Sequence, residues 1–242
     1  MAYYFGIYHW RRRGRRLLGA VALVIAGLVV GRRDGALAKA TALTLVAAGA
    51  KRGRGPLDRL LSPPPWQPDD WKYRALREAM PYAEAEQALD VGCGTGRSLV
   101  GLAPAVPERC RLLGLDVFDD RVILGNGPTL ARRNAAEAGL DAGVVAGDAA
   151  RLPLASGSQD VVTACRVLHD LPRAAAESAL LEARRVLQPD GTLGVLELPI
   201  PHDSAADPLD YWERLVADAG FAVEEAREVE AGGYYLLVAT PE

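Results

Sequence analysis

From residue 71 to the carboxyl end, short apolar runs alternate with longer segments of helical period. That alternation constrains the chain most, because a strand–helix repeat folds into a parallel sheet buried between helices on both faces. Strands are expected at 88–91, 111–116, 143–146, 160–166, 192–198, 221–229 and 234–239. Helices are expected at 70–80, from 97 to just before Pro104, and at 128–138, 174–187 and 208–219. The run 160–166 is apolar through its middle, as a strand covered on both faces must be. Gly139 and the Pro189–Gly191 stretch read as helix stops. The fold class is therefore α/β, with a doubly wound sheet.

The first strand of this region opens the stretch 88–96, ALDVGCGTG. Glycines at 92, 94 and 96 leave the turn without side chains, so a ligand can approach the backbone and the N–H groups of the helix beginning at Arg97. The dinucleotide fingerprint G-x-G-x-x-G would need glycine where Arg97 stands. Asp90, just before the turn, would repel a phosphate and suits a ligand with a cationic end. Asp116 ends the second strand, twenty positions past Gly96, where an acid accepts hydrogen bonds from ribose hydroxyls. Asp148 follows the third strand, where an acid can meet an adenine amino group. All three sites lie at carboxyl ends of strands, where open α/β sheets bind ligands. The plainer alternatives are a tight glycine turn, a solvated strand end at Asp116 and a turn cap at Asp148.

These residues resemble the class I S-adenosylmethionine-dependent methyltransferases. The matching pieces are ALDVGCGTG (88–96), LLGLDV (112–117), AGDAARLPLASGSQDVV (146–162) and RVLQPDGTL (185–193), in the family's order. The likeness is strongest to the branch that modifies small molecules, including quinone and metalloid methylases. It implies a Rossmann-like methyltransferase fold, a seven-stranded, mostly parallel sheet of order 3-2-1-4-5-7-6 with the last strand antiparallel. It also implies S-adenosyl-L-methionine as cofactor. By position, Asp90, Gly92, Cys93, Gly94 and Gly96 would lie in the motif holding its aminoacyl end. Asp116 would bind the ribose hydroxyls and Val117 would pack on the adenine. Asp148 and Ala149 would border the base, and Arg166 would line the methionine moiety.

The amino-terminal part is physically different. Residues 1–55 carry eleven basic residues and one acid, a formal +10, whereas the rest carries 17 basic and 30 acidic residues, −13. An acidic main domain argues against nucleic acid as partner. Five arginines at positions 11–16 precede an uncharged run, 17–31. Arg32, Arg33 and Asp34 interrupt it, and a second apolar run, 36–50, is closed by Lys51, Arg52 and Arg54. This pattern is expected to form two apolar helices, a membrane hairpin contacting lipid through residues 17–50, with the catalytic domain in the cytoplasm. Each run is about 22 Å long as a helix, short of the roughly 30 Å hydrocarbon core. A cleaved signal peptide and a soluble helix pair are the alternatives. The domains then read as a hairpin over 1–55, a Pro-rich linker over 56–69 and a cofactor-binding domain over 70–242.

Methyl transfer from a sulfonium needs alignment and exclusion of water more than a strong base. Candidate catalytic residues lie in CRVLHDLP (165–172): His169 to accept a proton and Asp170 to orient it; a helix-start role for His169 is the bland reading. Cys93, Cys110 and Cys165 show no zinc spacing, no metal is expected, and the thiols read as core residues. The segments 118–129 and 199–208 are long links at carboxyl ends of strands and candidates for acceptor recognition. The function expected is membrane-associated methyl transfer to a small, apolar acceptor, lipid- or quinone-like. The alternative is a cofactor-binding sensor or scaffold subunit of a membrane complex.

Overall fold

Successive side chains of the central strands feed two different cores, as the pleat requires. The computed structural model describes residues 3–61, 64–68, 70–229 and 233–242. These fall into two compact units. One comprises Pro68–Phe118 and Gly127–Glu242; the other comprises Ala2–Gln67 and Asp119–Asn126.

In the larger unit, helix α3 (Asp70–Ala79) precedes β1 (Gln87–Val91), α4 (Arg97–Leu102), β2 (Arg111–Asp116), α5 (Pro128–Glu137) and β3 (Gly143–Ala146). Then come β4 (Gln159–Cys165), α6 (Arg173–Val186), β5 (Leu187–Glu197), α7 (Pro208–Asp218), β6 (Phe221–Val229) and β7 (Tyr234–Pro241). They form one seven-stranded sheet of order β3-β2-β1-β4-β5-β7-β6. The β1–β2, β1–β4, β2–β3 and β4–β5 pairs are parallel, and β7 is antiparallel to both β5 and β6. This is the order that the resemblance implied.

Leu89 and Val91 of β1 face one core, with Val162 and Ala164 of β4, Leu180 of α6 and Trp212 of α7. Ala88 faces the other, with Val161, Tyr73 and Leu76 of α3, and Leu99 of α4. Asp207 caps α7 by accepting from the Leu209 and Asp210 N–H groups at 3.0 and 3.2 Å, with Pro208 in the first turn. The largest boundary difference is at β5, which begins at Leu187, so Gln188–Asp190 belong to the strand that they were expected to precede. β4 ends at Cys165, leaving Arg166 just past it with φ of 60°.

In the smaller unit, α1 (Trp10–Val30) and α2 (Ala36–Leu61) form a helical hairpin. Their backbones approach at two glycines: a Cβ at Gly27 would stand 2.9 Å from the Ala42 carbonyl, and one at Gly49 would stand 2.8 Å from that of Ala20. Helix α2 runs through the first six residues assigned to the linker, with Pro56 inside it. Ser62, Pro63 and Asp69 of that linker lie outside the described residues. The expected membrane span is overturned. Among the described residues no helix is long and apolar enough to cross a membrane. The reason is charge: α1 starts at Trp10 and contains the whole Arg11–Arg16 cluster, and Lys39, Lys51, Arg52 and Arg54 lie inside α2. Asp119–Asn126, expected to shape an acceptor pocket, belongs to this unit. Tyr8 pairs with Ile123 across an antiparallel bridge, and the His9 N–H donates to the Val122 carbonyl at 2.7 Å.

Candidate functional site

The chain order reverses between β1 and β4, and their carboxyl ends open the crevice where such sheets bind ligands. β1 delivers the glycine turn there. Gly92, Gly94 and Gly96 have φ of 74°, 53° and 82°, a left-handed conformation that side-chain-bearing residues rarely adopt. Two of them also have no room for a side chain. A Cβ at Gly92 would stand 2.5 Å from Cγ2 of Val167, and one at Gly96 would stand 2.8 Å from the Ala131 carbonyl oxygen.

β2 brings Asp116 against this turn. Its Oδ2 accepts from the Gly94 N–H at 3.0 Å and its Oδ1 from the Phe118 N–H at 2.6 Å. The acid and the turn were expected in one site, and they are in contact. Val117, the next residue, is exposed at the rim. In the β2–β3 register Ala146 lies beside Asp116, and the Gly147 N–H donates to the Asp116 carbonyl at 3.0 Å. Asp148 therefore sits on the same sheet end, exposed, with Oδ1 accepting from the Ala150 N–H at 2.9 Å. Ala149 is buried behind it. Arg166 is placed by its N–H, which donates to the Leu196 carbonyl at 2.7 Å.

Two expected cofactor contacts have side chains that point elsewhere. Asp90 is wholly buried, with Oδ1 accepting from the Thr163 hydroxyl at 2.9 Å and Oδ2 from that of Ser98. It braces the turn from beneath, tying β4 to the start of α4. Burial raises its carboxyl pKa to about 6, against the lowering effect of the two hydroxyls. Cys93 also points inward, into the core containing Leu99 and Leu112, and burial pushes its thiol well up. Only its backbone belongs to the turn, its N–H donating to the Leu115 carbonyl at 3.0 Å. No group of three or more His, Cys, Asp or Glu among the described residues is placed to hold a metal.

Beyond β4 the chain makes one 3₁₀ turn, Leu168–Asp170, which sets His169 at the same end of the sheet. The expected orienting acid is Asp170, but it is largely exposed, with Oδ1 3.5 Å from Nε2. The acid that holds the ring is Glu197, at the end of β5. Its Oε2 lies 2.7 Å from His169 Nδ1. Its Oε1 accepts from the Val167 and Leu168 N–H groups at 2.8 and 2.6 Å, and Oε2 also accepts from the Leu198 N–H at 3.1 Å. With no exposure and several donors, this carboxylate is paired as a buried charge must be. The contact puts the proton on Nδ1 and leaves Nε2 as acceptor in the neutral ring. Burial pulls the His169 pKa down, but the Glu197 hydrogen bond and charge, with Asp170, outweigh it and raise it. The available signal for Glu197 was a lone acid closing the apolar run LGVLE.

The loop after β5 is fastened to the loop after β4. His202 Nε2 lies 2.8 Å from the Leu171 carbonyl, and its Nδ1 lies 2.6 Å from the Tyr211 hydroxyl.

Residues 88–191 match the family described as a methyltransferase domain. Demethylmenaquinone methyltransferase from Staphylococcus aureus is 32% identical over 131 residues, 54% of this chain and 50% of that protein. The chain spans about half the length of the curated relatives it matches. Among solved structures, a SAM-dependent methyltransferase from Aquifex aeolicus superposes with a TM-score of 0.54 at 23% identity, over 71% of this chain and 89% of that one. Mitomycin 7-O-methyltransferase gives 0.58 at 18% identity, over 92% of this chain and 67% of that one. Residues 88–191 are thus similar to a methyltransferase domain, and these solved structures share the fold of the larger unit.

Proposed function

We propose that this protein methylates a small, apolar acceptor bearing a hydroxylated ring, of the reduced-quinone type. The observation that carries the reading is the His169–Glu197 pair, set at the sheet end that also holds the glycine turn. The likeness to a demethylmenaquinone methyltransferase supports the acceptor class.

The residues present fit the cofactor. The turn is fixed by the packing of Gly92 on Val167 and of Gly96 on Ala131, which leaves its backbone bare of side chains at these positions. Asp116 offers carboxylate oxygens for a ribose diol, and Val117 and Asp148 stand at the rim for the base. Asp90 fixes the turn by holding Ser98 and Thr163. When bound, S-adenosylmethionine supplies a methyl group on a sulfonium sulfur, already activated for displacement.

The chain's own part is then alignment and one proton. His169 Nε2 would take the proton that the acceptor loses as it is methylated, the methyl group and its sulfur leaving group being supplied by the bound cofactor. Glu197 keeps the ring in the tautomer able to do this and stabilises the resulting imidazolium. Such a base contributes about 10²–10⁴-fold to turnover. Incubation with methyl-labelled S-adenosylmethionine and a series of hydroquinones tests the reading. Label in a hydroquinone, lost in His169→Gln with cofactor affinity retained, is the expected result. Cofactor binding with no labelled product from hydroquinones or a lipid extract would favour a sensor or scaffold.

A further inference from the structure

The hairpin of α1 and α2 has two features that methyl transfer does not use. The first is a cavity of about 250 Å³ at its open end, lined by His9, Arg12, Arg13, Arg16 and Arg59, together with Gly55 and Pro56. No carboxylate is among the described residues that line it. The nearest acid in sequence, Asp58, is exposed and directed to Arg54 at 3.9 Å. The Arg13 guanidinium donates to the Arg59 carbonyl, and burial together with the charge of Arg59 lowers its pKa. Like charges held together in this way are relieved by an anion.

The second feature is an uncovered aliphatic stripe. Leu18, Val21, Ile25 and Leu28 follow the helical period on one face of α1, and each is more than half exposed. Leu37 and Leu43 of α2 are 83% and 72% exposed. Basic residues bound the stripe at both ends: Arg11–Arg16 at the start of α1, and Arg32 and Arg33 at the tip of the hairpin. The stretch between them is about 22 Å long. Upright in a bilayer, it would drag the tip arginines into hydrocarbon. Lying flat, it puts both clusters at headgroup level and the stripe just beneath, the arrangement of an interfacial helix.

We propose that the hairpin is a docking surface for anionic lipid: the arginine cavity takes the phosphate of a headgroup and the aliphatic stripe dips into the acyl boundary, with neither helix crossing. Charge complementarity chooses this occupant. A neutral apolar partner, or a second copy with the same +10 segment, leaves the arginines unpaired or opposed. The proposal does not depend on the methyl-transfer reading, since it concerns partitioning rather than turnover.

Vesicle co-sedimentation of the intact chain tests it, with phosphatidylcholine vesicles containing about one-third phosphatidylglycerol compared with pure phosphatidylcholine. Binding is expected only to the anionic vesicles, and to fall steeply when salt is raised from 0.1 to 0.5 M. Arg12→Gln, Arg13→Gln and Arg16→Gln combined should weaken it about 100-fold, at roughly fivefold for each arginine near a charged leaflet. Leu18→Ser with Ile25→Ser, both at exposed positions, should also weaken it while circular dichroism stays unchanged. Equal binding to neutral vesicles, or none to either, overturns the proposal. So does calorimetric binding of inorganic phosphate with no vesicle binding, which marks a free-anion site. A dimer in sedimentation equilibrium that Ile25→Ser dissociates would show that a second copy covers the stripe, and would overturn it as well.

Discussion

Gly92→Ala tests the construction of the site at its narrowest point. The residue has φ of 74°, and placing a side chain in that region costs about 1–2 kcal/mol. The new methyl would stand 2.5 Å from Cγ2 and 2.8 Å from Cβ of Val167. Valine is branched at Cβ and stiff about χ1, so it cannot swing aside. Overpacking of this kind costs about 1–3 kcal/mol more, for a total of about 2–5 kcal/mol. The strain falls on the segment whose N–H groups bind Glu197. Cofactor affinity should therefore fall together with stability. Val167→Ala removes the Cγ2 overlap but leaves the Cβ contact and the φ cost. The double variant should recover about 1–2 kcal/mol relative to the sum of the singles, which is the coupling expected of residues in contact. Urea unfolding followed by tryptophan fluorescence measures this cycle, with Trp212 buried in the core as reporter. Strict additivity, or a Gly92→Ala cost below about 1 kcal/mol, would refute the close-approach argument.

The remaining predictions concern the titrating groups. His169 must be neutral to accept a proton, and its pKa is raised, so turnover should climb with pH through a midpoint above the ordinary imidazole value of about 6.5. Glu197→Gln removes the main raising contact and leaves burial to act; the midpoint in a pH–rate profile should move down while maximal turnover falls, whereas an unmoved midpoint would mean that Glu197 does not set the ring. Asp90 has a folded pKa of about 6 against a reference of 3.8. Its stability contribution is present below the lower value and lost as pH rises through the upper one, by about 3 kcal/mol. Asp90→Asn should therefore gain about that much relative to wild type between pH 4 and pH 7.5 in urea unfolding, and a difference that does not vary with pH would contradict this account.

The strand–helix alternation made the sheet legible because each strand carries its own burial pattern. The glycine turn was legible because Gly92 and Gly96 sit where a side chain has no room, and such positions leave a mark in sequence. What escaped depends on neighbours distant in the chain. Asp90 is a charged residue beside a ligand turn, but its fate was decided by Ser98 and Thr163, and Thr163 reaches it only through the β1–β4 pairing. Asp170 adjoins His169 in sequence, yet the 3₁₀ turn leaves it exposed while β5 delivers Glu197 from 28 residues away. The amino-terminal helices were visible as apolar runs between arginines. Their role was misjudged because the helices extend into the charged flanks, and α2 runs on past the expected linker boundary at residue 56. Asp119–Asn126 was read as part of an acceptor loop, since nothing in its own residues shows that Tyr8 and His9 pair with it.

The central claim is that the turn at Gly92–Gly96 and the Asp116 carboxylate together hold S-adenosylmethionine. Titration calorimetry of the intact chain with that compound, beside Asp116→Ala, measures it directly. The account predicts one site per chain in the wild type and an affinity lower by about 1–3 kcal/mol in the variant, the cost of losing one buried partner. No binding to the wild type, or equal affinity in both proteins, would contradict it.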